Sequence, residues 1–329
     1  MTTKARLLLR CLNQGAWGLL LLVWAIFTIL NPAFGTVDNL TNLLIQSSST
    51  ILLATGMTFV LLTGGVDLSI GAIMLVSAAV LGKLAVAGVS LPVILLLVLL
   101  TAVGFGVING FLIAVLDVIP FVATLATLSI GRGLGLWLTN THAIHLPGIY
   151  LTLGSQRIGG VPVPIIVALV CAVCAQLLIS GTPFGRYLLA TGFRRITAER
   201  VGIPTRRVLF TTYCLSGLFA GIGALVSLTQ LGSVSPTFGL NREFTSIAAA
   251  VIGGTSLSGG RGTVIPGAIL GALLIQSIEN GLVIMNADPY LYPLAASAVI
   301  LSAVLLDGLR TRMIAELQRR PIFHDHATE

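Results

Sequence analysis

The stretch Phe244–Leu274, FTSIAAAVIGGTSLSGGRGTVIPGAILGALL, sets two apolar runs on either side of a glycine- and serine-rich interruption, Gly253 to Gly262. An earlier segment carries a second copy. Gly64-Gly65-Val66-Asp67-Leu68-Ser69-Ile70-Gly71 matches Gly253 to Gly260 at five of eight positions, with a constant offset of 189. A polar break that recurs inside very apolar sequence points to two halves meeting around one site. Gly64, Gly65, Asp67, Gly253 and Gly254 are therefore the candidate hinge residues of the chain.

Composition sets the class. The chain is 56% hydrophobic and 9% charged, with a mean hydropathy of +1.02, whereas soluble domains carry roughly 25% charged residues. Most charges lie between long apolar runs, the pattern of a polytopic helical membrane protein. The 37 glycines suit helices that must approach closely in lipid, where no hydrophobic force drives them together. A net charge of +7 could suggest nucleic acid, but its placement argues against that. Thirteen of the 18 basic residues fall in three segments: Lys4, Arg6 and Arg10; Arg186, Arg194, Arg195, Arg200, Arg206 and Arg207; and Arg310, Arg312, Arg319 and Arg320. The positive-inside rule puts all three in the cytoplasm.

A span needs about 20 apolar residues at about 1.5 Å each. Spans are expected near 16–30, 43–63, 66–83, 91–115, 120–138, 162–180, 208–230, 243–256, 262–285 and 290–307. Six of them separate the N-terminal segment 1–15 from the basic loop 181–207, and four more lead to the tail 308–329. Both intervals are even, so the basic segments share one side and both termini are cytoplasmic. The expected fold is all-α: one transmembrane domain over 1–329, a polytopic bundle of about ten helices with glycine-broken helices and an internal repeat. The run 243–256 is short for a crossing and has the length of a half-helix. The segment 31–42 reads as an outer loop, and 139–161 as the longest outer connection.

Polar groups inside the spans are the remaining signal, because an ionisable group in hydrocarbon is costly and usually functional. Asp67 can cap a helix N-terminus or act in gating or subunit contact. Glu243 can cap the helix it opens or lie near an outer mouth. Asn109, Thr124 and Asn280 can face a solvated path or join helices by hydrogen bonds. Phe121 can stack on a sugar ring. Asn109, Phe121, Thr124, Glu243 and Asn280 together form the candidate substrate pathway. Asp117 lies between spans, and Arg132 can snorkel to an interface.

His142 and His145 lack a carboxylate or cysteine companion, so no metal site is expected there. Cys11, Cys171, Cys174 and Cys214 read as buried, inert thiols. No G-x-x-x-x-G-K-[ST] phosphate loop, nucleophile elbow or paired-carboxylate constellation is present, so no covalent chemistry is assigned.

Thr182-Pro183 closes one span, and Gly192, Gly202 and Pro204 punctuate the loop beyond it. A short helix over Arg194–Val201 is either a topology anchor or a surface offered to a cytoplasmic partner. Here the sequence resembles the permease subunits of bacterial ABC importers for ribose, galactose, other monosaccharides and the furanosyl-type autoinducer. The matching stretches are GMTFVLLTGGVDLSIGAI (56–73), IPFVATLATLSIGRGL (119–134), TPFGRYLLATG with ERVGI (182–203), AAAVIGGTSLSGGRGTVIPGAILGALL (248–274) and Asn280-Gly281. They extend the resemblance over about 30–307.

The resemblance implies that the loop helix docks on an ATP-binding cassette ATPase, with Arg194, Arg195, Ala198, Glu199 and Gly202 as its coupling residues. ATP and Mg would then be held by that ATPase, and this chain would carry no cofactor. A periplasmic sugar-binding protein would deliver solute, and a second copy or a paralogue would complete the pathway in the bacterial inner membrane. Two positions depart from the family pattern. Phe244-Thr245 stand where Leu-Asp is common after the glutamate, and Gly192-Phe193-Arg194 where Gly-Gly-Asn is usual. These leave a heterodimer open beside a homodimer. The rival functions are an ion-gradient-driven secondary transporter, for which Asp67 and Glu243 are the available acids, and a membrane enzyme on lipid-linked substrates.

Overall fold

In a computed structural model, residues 3–288 are described continuously and 290–308 in part, with side chains described from residue 16 onward. The expected last span, 290–307, is thus covered only in part, and the tail beyond 308 lies outside the described residues. The long helices are α1 (Thr3–Leu30), α2 (Val37–Leu62), α3 (Ile70–Val86), α4 (Leu91–Ala114), α5 (Pro120–Thr139), α7 (Val163–Gly181), α10 (Thr205–Leu231) and α12 (Ile269–Ile284). Shorter ones are α6 (Ile149–Ser155), α8 (Pro183–Phe193), α9 (Arg195–Arg200) and α11 (Arg242–Ile252). Among the described residues six helical stretches are long and apolar enough to cross a membrane: α2, α4, α5, α7, α10 and Val264–Ile284.

Helix limits follow local chemistry. Thr182 caps α8 with its hydroxyl, accepting from Gly185 N–H at 3.4 Å, and Pro183 opens the first turn. Asn140 ends α5 and Gly232 ends α10, both left-handed at φ 50° and 63°. The connection 139–161 is an ordered cap, not an open loop. Strand β1 (Ile144–His145) pairs with β4 (Ser233–Val234), and β2 (Arg157–Ile158) with β3 (Val161–Pro162), each antiparallel. Gly159-Gly160, both at positive φ, make the tight turn of the second pair.

Helix α2 is the axis of the bundle. Every residue from Ser47 to Leu62 is buried, as in a helix surrounded by protein on all sides. Helix α10 crosses α4 on small residues. Gly106 and Gly110 of α4 face Tyr213, Cys214 and Phe210, while Gly217 and Gly221 of α10 face Ala102. A side chain at any of the four would meet backbone or a neighbouring Cβ, which is the close approach that small-xxx-small spacing permits. Cys171 is half-buried and Cys174 exposed on α7, so the cysteines are not uniformly buried.

The two glycine breaks share one geometry. Gly64 is left-handed at φ 78°, with Gly64 N–H donating to Leu61 O (2.8 Å) and Gly65 N–H to Val60 O (3.3 Å). Gly254 is left-handed at φ 95°, with Gly254 N–H donating to Val251 O (2.8 Å) and Thr255 N–H to Ala250 O (3.0 Å). Both are Schellman caps. Their equivalence runs Gly64 to Gly254, one residue out of step with the match of letters, and it stops at the cap. After the first break the chain enters α3. After the second it makes a turn closed by Ser256 N–H on Arg261 O at 2.8 Å, then a π-type turn over Val264–Ala268.

Candidate functional site

Three clusters of polar side chains among the described residues bear on the candidate site. The first is a chain of side chains around Asp67. Its Oδ1 accepts from Ser69 N–H (2.9 Å) and Ser69 Oγ (2.6 Å), and its Oδ2 from Ser216 Oγ (2.7 Å). Asn109 Nδ2 donates to Ser69 Oγ at 2.8 Å, and Thr127 Oγ1 donates to Asn109 Oδ1 at 2.7 Å. All five residues are buried. The segment before α3 is thereby tied to α4, α5 and α10. Asp67 is not the N-cap residue of α3, a position held by Ser69; it reaches that end from two residues earlier. Thr124 belongs beside this network, donating to Pro120 O (2.9 Å) and Val66 O (3.3 Å).

The second place lies where the first turns of α3 and α11 meet. Glu243, the second residue of α11, is 4% exposed and packs against Gly71, the second residue of α3. A side chain at Gly71 would collide with the Glu243 carboxylate and with Gly239 O. Arg132 stands beside them, donating Nη1–H to Phe238 O (2.8 Å) and Nη2–H to Gly239 O (2.6 Å). Rather than reaching an interface, it fastens the turn that leads into α11. One carboxylate oxygen, Glu243 Oε2, has no hydrogen-bond partner among the described residues. The positive ends of two helices and a guanidinium surround it.

The third place is the basic end. Helix α9 covers Arg195–Arg200, with Arg194 before it and Gly202, left-handed at φ 83°, after it. Ala198 is its buried contact, whereas Phe193, Ile196 and Val201 are 83%, 66% and 72% exposed. Arg195 Nη2 pairs with Asp117 Oδ1 at 2.7 Å and its Nε with Glu199 Oε1 at 3.0 Å. Thr205 Oγ1 donates to Glu199 Oε1 at 2.6 Å, and Arg206 lies 3.5 Å from Asp117. The Arg195 hydrogen bond and charge hold the Asp117 carboxyl below its ordinary value. The Thr205 hydroxyl, then Arg195, does the same for Glu199.

Both glycine breaks meet this end. Gly260 N–H donates to Leu62 O at 2.9 Å. A Cβ on Gly259 would lie 2.7 Å from Gly192 O and 2.9 Å from Gly64 N, and one on Gly192 would collide with Leu62 O. The seam is backbone against backbone. A cavity of about 260 Å³ opens beside it, lined by Thr63, Gly64, Gly65, Asp117, Thr191 and Arg195 among others.

The family model described as the branched-chain amino acid transport system / permease component matches residues 39–306. The chain belongs to this permease family. Among the permease's relatives, the ribose import permease protein RbsC of Bacillus subtilis is 40% identical over 88% of this chain and 90% of its own. The galactofuranose transporter permease protein YtfT of Escherichia coli is 35% identical, covering 84% of this chain and 81% of its own. The D-allose transport system permease protein AlsC of Escherichia coli is 34% identical, covering 90% and 92%. No solved structure matches.

The permease does not gather its sequence-derived pathway residues into one place. Asn109 and Thr124 lie at the Asp67 network, and Glu243 lies with Arg132. Asn280 and Asn39 exchange two hydrogen bonds, Asn39 Nδ2 donating to Asn280 Oδ1 at 3.0 Å and Asn280 Nδ2 to Asn39 Oδ1 at 3.1 Å, joining α12 to α2. Phe121 is exposed on α5. Of the hinge residues, Gly64 and Gly254 carry the left-handed turns, Gly65 packs on the Tyr213 hydroxyl and Gly253 on Gly267 O. Sequence reasoning missed Ser69, Ser216 and Thr127, because hydroxyls in apolar runs are too common to signal anything. It also missed that Arg132 and Asp117 have specific partners far along the chain. Among the described residues no group of three or more His, Cys, Asp and Glu is placed to hold a metal ion.

Proposed function

We propose that this chain is the transmembrane subunit of an ATP-driven importer, carrying a monosaccharide or a related small polyhydroxylated solute across a bacterial inner membrane. The observation that carries the reading is α9: a short, basic helix with exposed apolar residues, whose flank is packed on both glycine breaks. A helix so placed offers a docking face and a route from that face into the bundle. ATP and Mg belong to the docked ATPase, and a periplasmic binding protein presents the solute. Two copies, or this chain and a paralogue, enclose the pathway. Ten crossings, with both termini and loop 181–207 cytoplasmic, agree with the placement of the basic residues.

The family description names amino acids, while the relatives' names are ribose, allose and galactofuranose. The sugar reading rests on those names. The test is purification with the neighbouring ATPase and reconstitution in vesicles. Ile196→Asp with Val201→Asp is expected to abolish ATPase association and uptake together. Uphill uptake by the lone chain, or uptake that survives loss of ATP and stops with an uncoupler, refutes the reading in favour of an ion-driven carrier.

A further inference from the structure

The docking helix is attached to the rest of the bundle in two unlike ways. At Gly192 the attachment is a tight seam with Leu62 and Gly259, in which nothing can yield without moving backbone. At Arg195 it is a pair of charges. Asp117 accepts from Arg195 of α9 at 2.7 Å and faces Arg206 of α10 at 3.5 Å. Arg195 also braces Glu199, which accepts from Thr205, so α9 and the start of α10 hold together as one body. Asp117 comes from another segment, the turn between α4 and α5, whose helix α4 itself packs through Gly110 on Phe210 of α10. In that turn the Asp117 backbone is left-handed at φ 51°, and Val118 N–H returns to Leu112 O at 3.0 Å. Beside the pair, a cavity of about 260 Å³ is lined both by that turn and by Thr63, Gly64 and Gly65, with Gly65 close to Pro120. One attachment is therefore a pivot, and the other a breakable contact over open room.

We propose that Asp117 is the positioning residue through which movement of the docking helix reaches the α4–α5 turn and opens or closes the cavity beside the Gly64-Gly65 break. The inference rests on the ATPase-docking reading above and adds to it the residue that passes the motion on. When α9 is displaced about Gly192, the Arg195–Asp117 pair either drags the turn with it or parts. In both cases the room bounded by Thr63 changes its access to water. A charge pair suits this role because it is strong in one geometry and weak once solvated, and exposed pairs of this kind shift equilibria by modest factors.

The experiment uses the assembled permease and its ATPase in vesicles, with Thr63→Cys as a reporter and a membrane-impermeant maleimide as the probe. The chain without that reporter serves as blank for its natural cysteines. Labelling is timed without nucleotide and with ATP plus vanadate, which needs no knowledge of the solute. The expected result is a nucleotide-dependent rate in the parent. In Asp117→Asn that dependence is to fall roughly two- to five-fold, with the ATPase still bound, and Asp117→Glu is to recover most of it. Arg206→Gln, which removes only the longer contact, is expected to lie between parent and Asp117→Asn and guards against misfolding of the latter. An unchanged dependence in Asp117→Asn overturns the inference, as does loss of the ATPase from that variant, since Asp117 would then act in docking alone. If the parent itself binds no ATPase, the proposed function fails.

Discussion

Gly192→Ala is the sharpest test of the seam between the docking segment and the two breaks. The added Cβ points at Leu62 O and lies 2.8 Å from Gly260 N, so it meets backbone, which cannot rotate away. Overpacking of this kind costs about 1–3 kcal/mol. Opening the seam also strains the Gly260 N–H to Leu62 O bond of 2.9 Å, worth about 0.5–1.5 kcal/mol net. The combined loss is about 1.5–4.5 kcal/mol, or roughly 10- to 2,000-fold in the folded-to-unfolded ratio. Gly133→Ala is the control: it lies in helix α5 with nothing within 4 Å of a new Cβ, and alanine is favoured over glycine there by about 1 kcal/mol. The assay is a thermal ramp of the detergent-solubilised permease, read by light scattering as unfolded protein aggregates. Gly192→Ala should melt well below the parent and Gly133→Ala at or above it. If the two variants melt together, Gly192 does not form a rigid contact with Leu62 and Gly260, and the pivot assigned to it is wrong.

Asp67→Ala removes the acceptor of three buried donors, on Ser69 and Ser216. It should cost about 3–5 kcal/mol in the same ramp, while Asp67→Asn, which keeps the shape, should cost less; equal melting of Asp67→Ala and parent refutes the network. Asn280→Ala breaks the paired amides with Asn39 and is expected to lose about 1 kcal/mol, because such bonds inside membranes are individually weak. Acid should loosen α9. Asp117 and Glu199 have lowered carboxyl pKa values when folded, so their contribution is full above the ordinary carboxylate range of about 4 and disappears as pH falls through the lower folded values. Hydrogen exchange over 195–206, corrected for its intrinsic pH dependence, should quicken from about pH 5 downward, and a flat profile would show that the pairs contribute nothing.

The long apolar runs, with their prolines and cap residues, placed most spans within a few residues of their observed limits. Pro120 and Thr182-Pro183 mark helix starts in the letters as they do in space. Three limits escaped for a physical reason: α2 starts at Val37, inside the expected outer loop 31–42, because Thr36 caps it by accepting from Asn39 N–H. Helix α1 runs back to Thr3 because nothing in residues 3–15 breaks a helix, while α3 begins only at Ile70 because the Asp67–Ser69 turn uses the backbone otherwise. The run at 243–256 has the half-helix length expected of it: α11 has 11 residues, about 16 Å against a hydrocarbon core of about 30 Å. Side-chain partnership was beyond reach. Asp117 and Arg195 are 78 residues apart, Asp67 and Ser216 149; helical periodicity says which face a residue occupies and nothing about which distant helix lies against it.

The one-residue slip between the duplicated motifs in letters and in backbone means the two copies are not exchangeable parts. Writing the second motif over residues 64–71 would keep glycine at the left-handed position but strip the carboxylate that anchors α3. Writing the first over 253–260 would set a β-branched isoleucine where Gly259 holds φ at 84°, a conformation such residues scarcely tolerate. Each is fitted to its own neighbours, and a chimera in either direction would reveal this as a shortfall of correctly folded permease in the membrane.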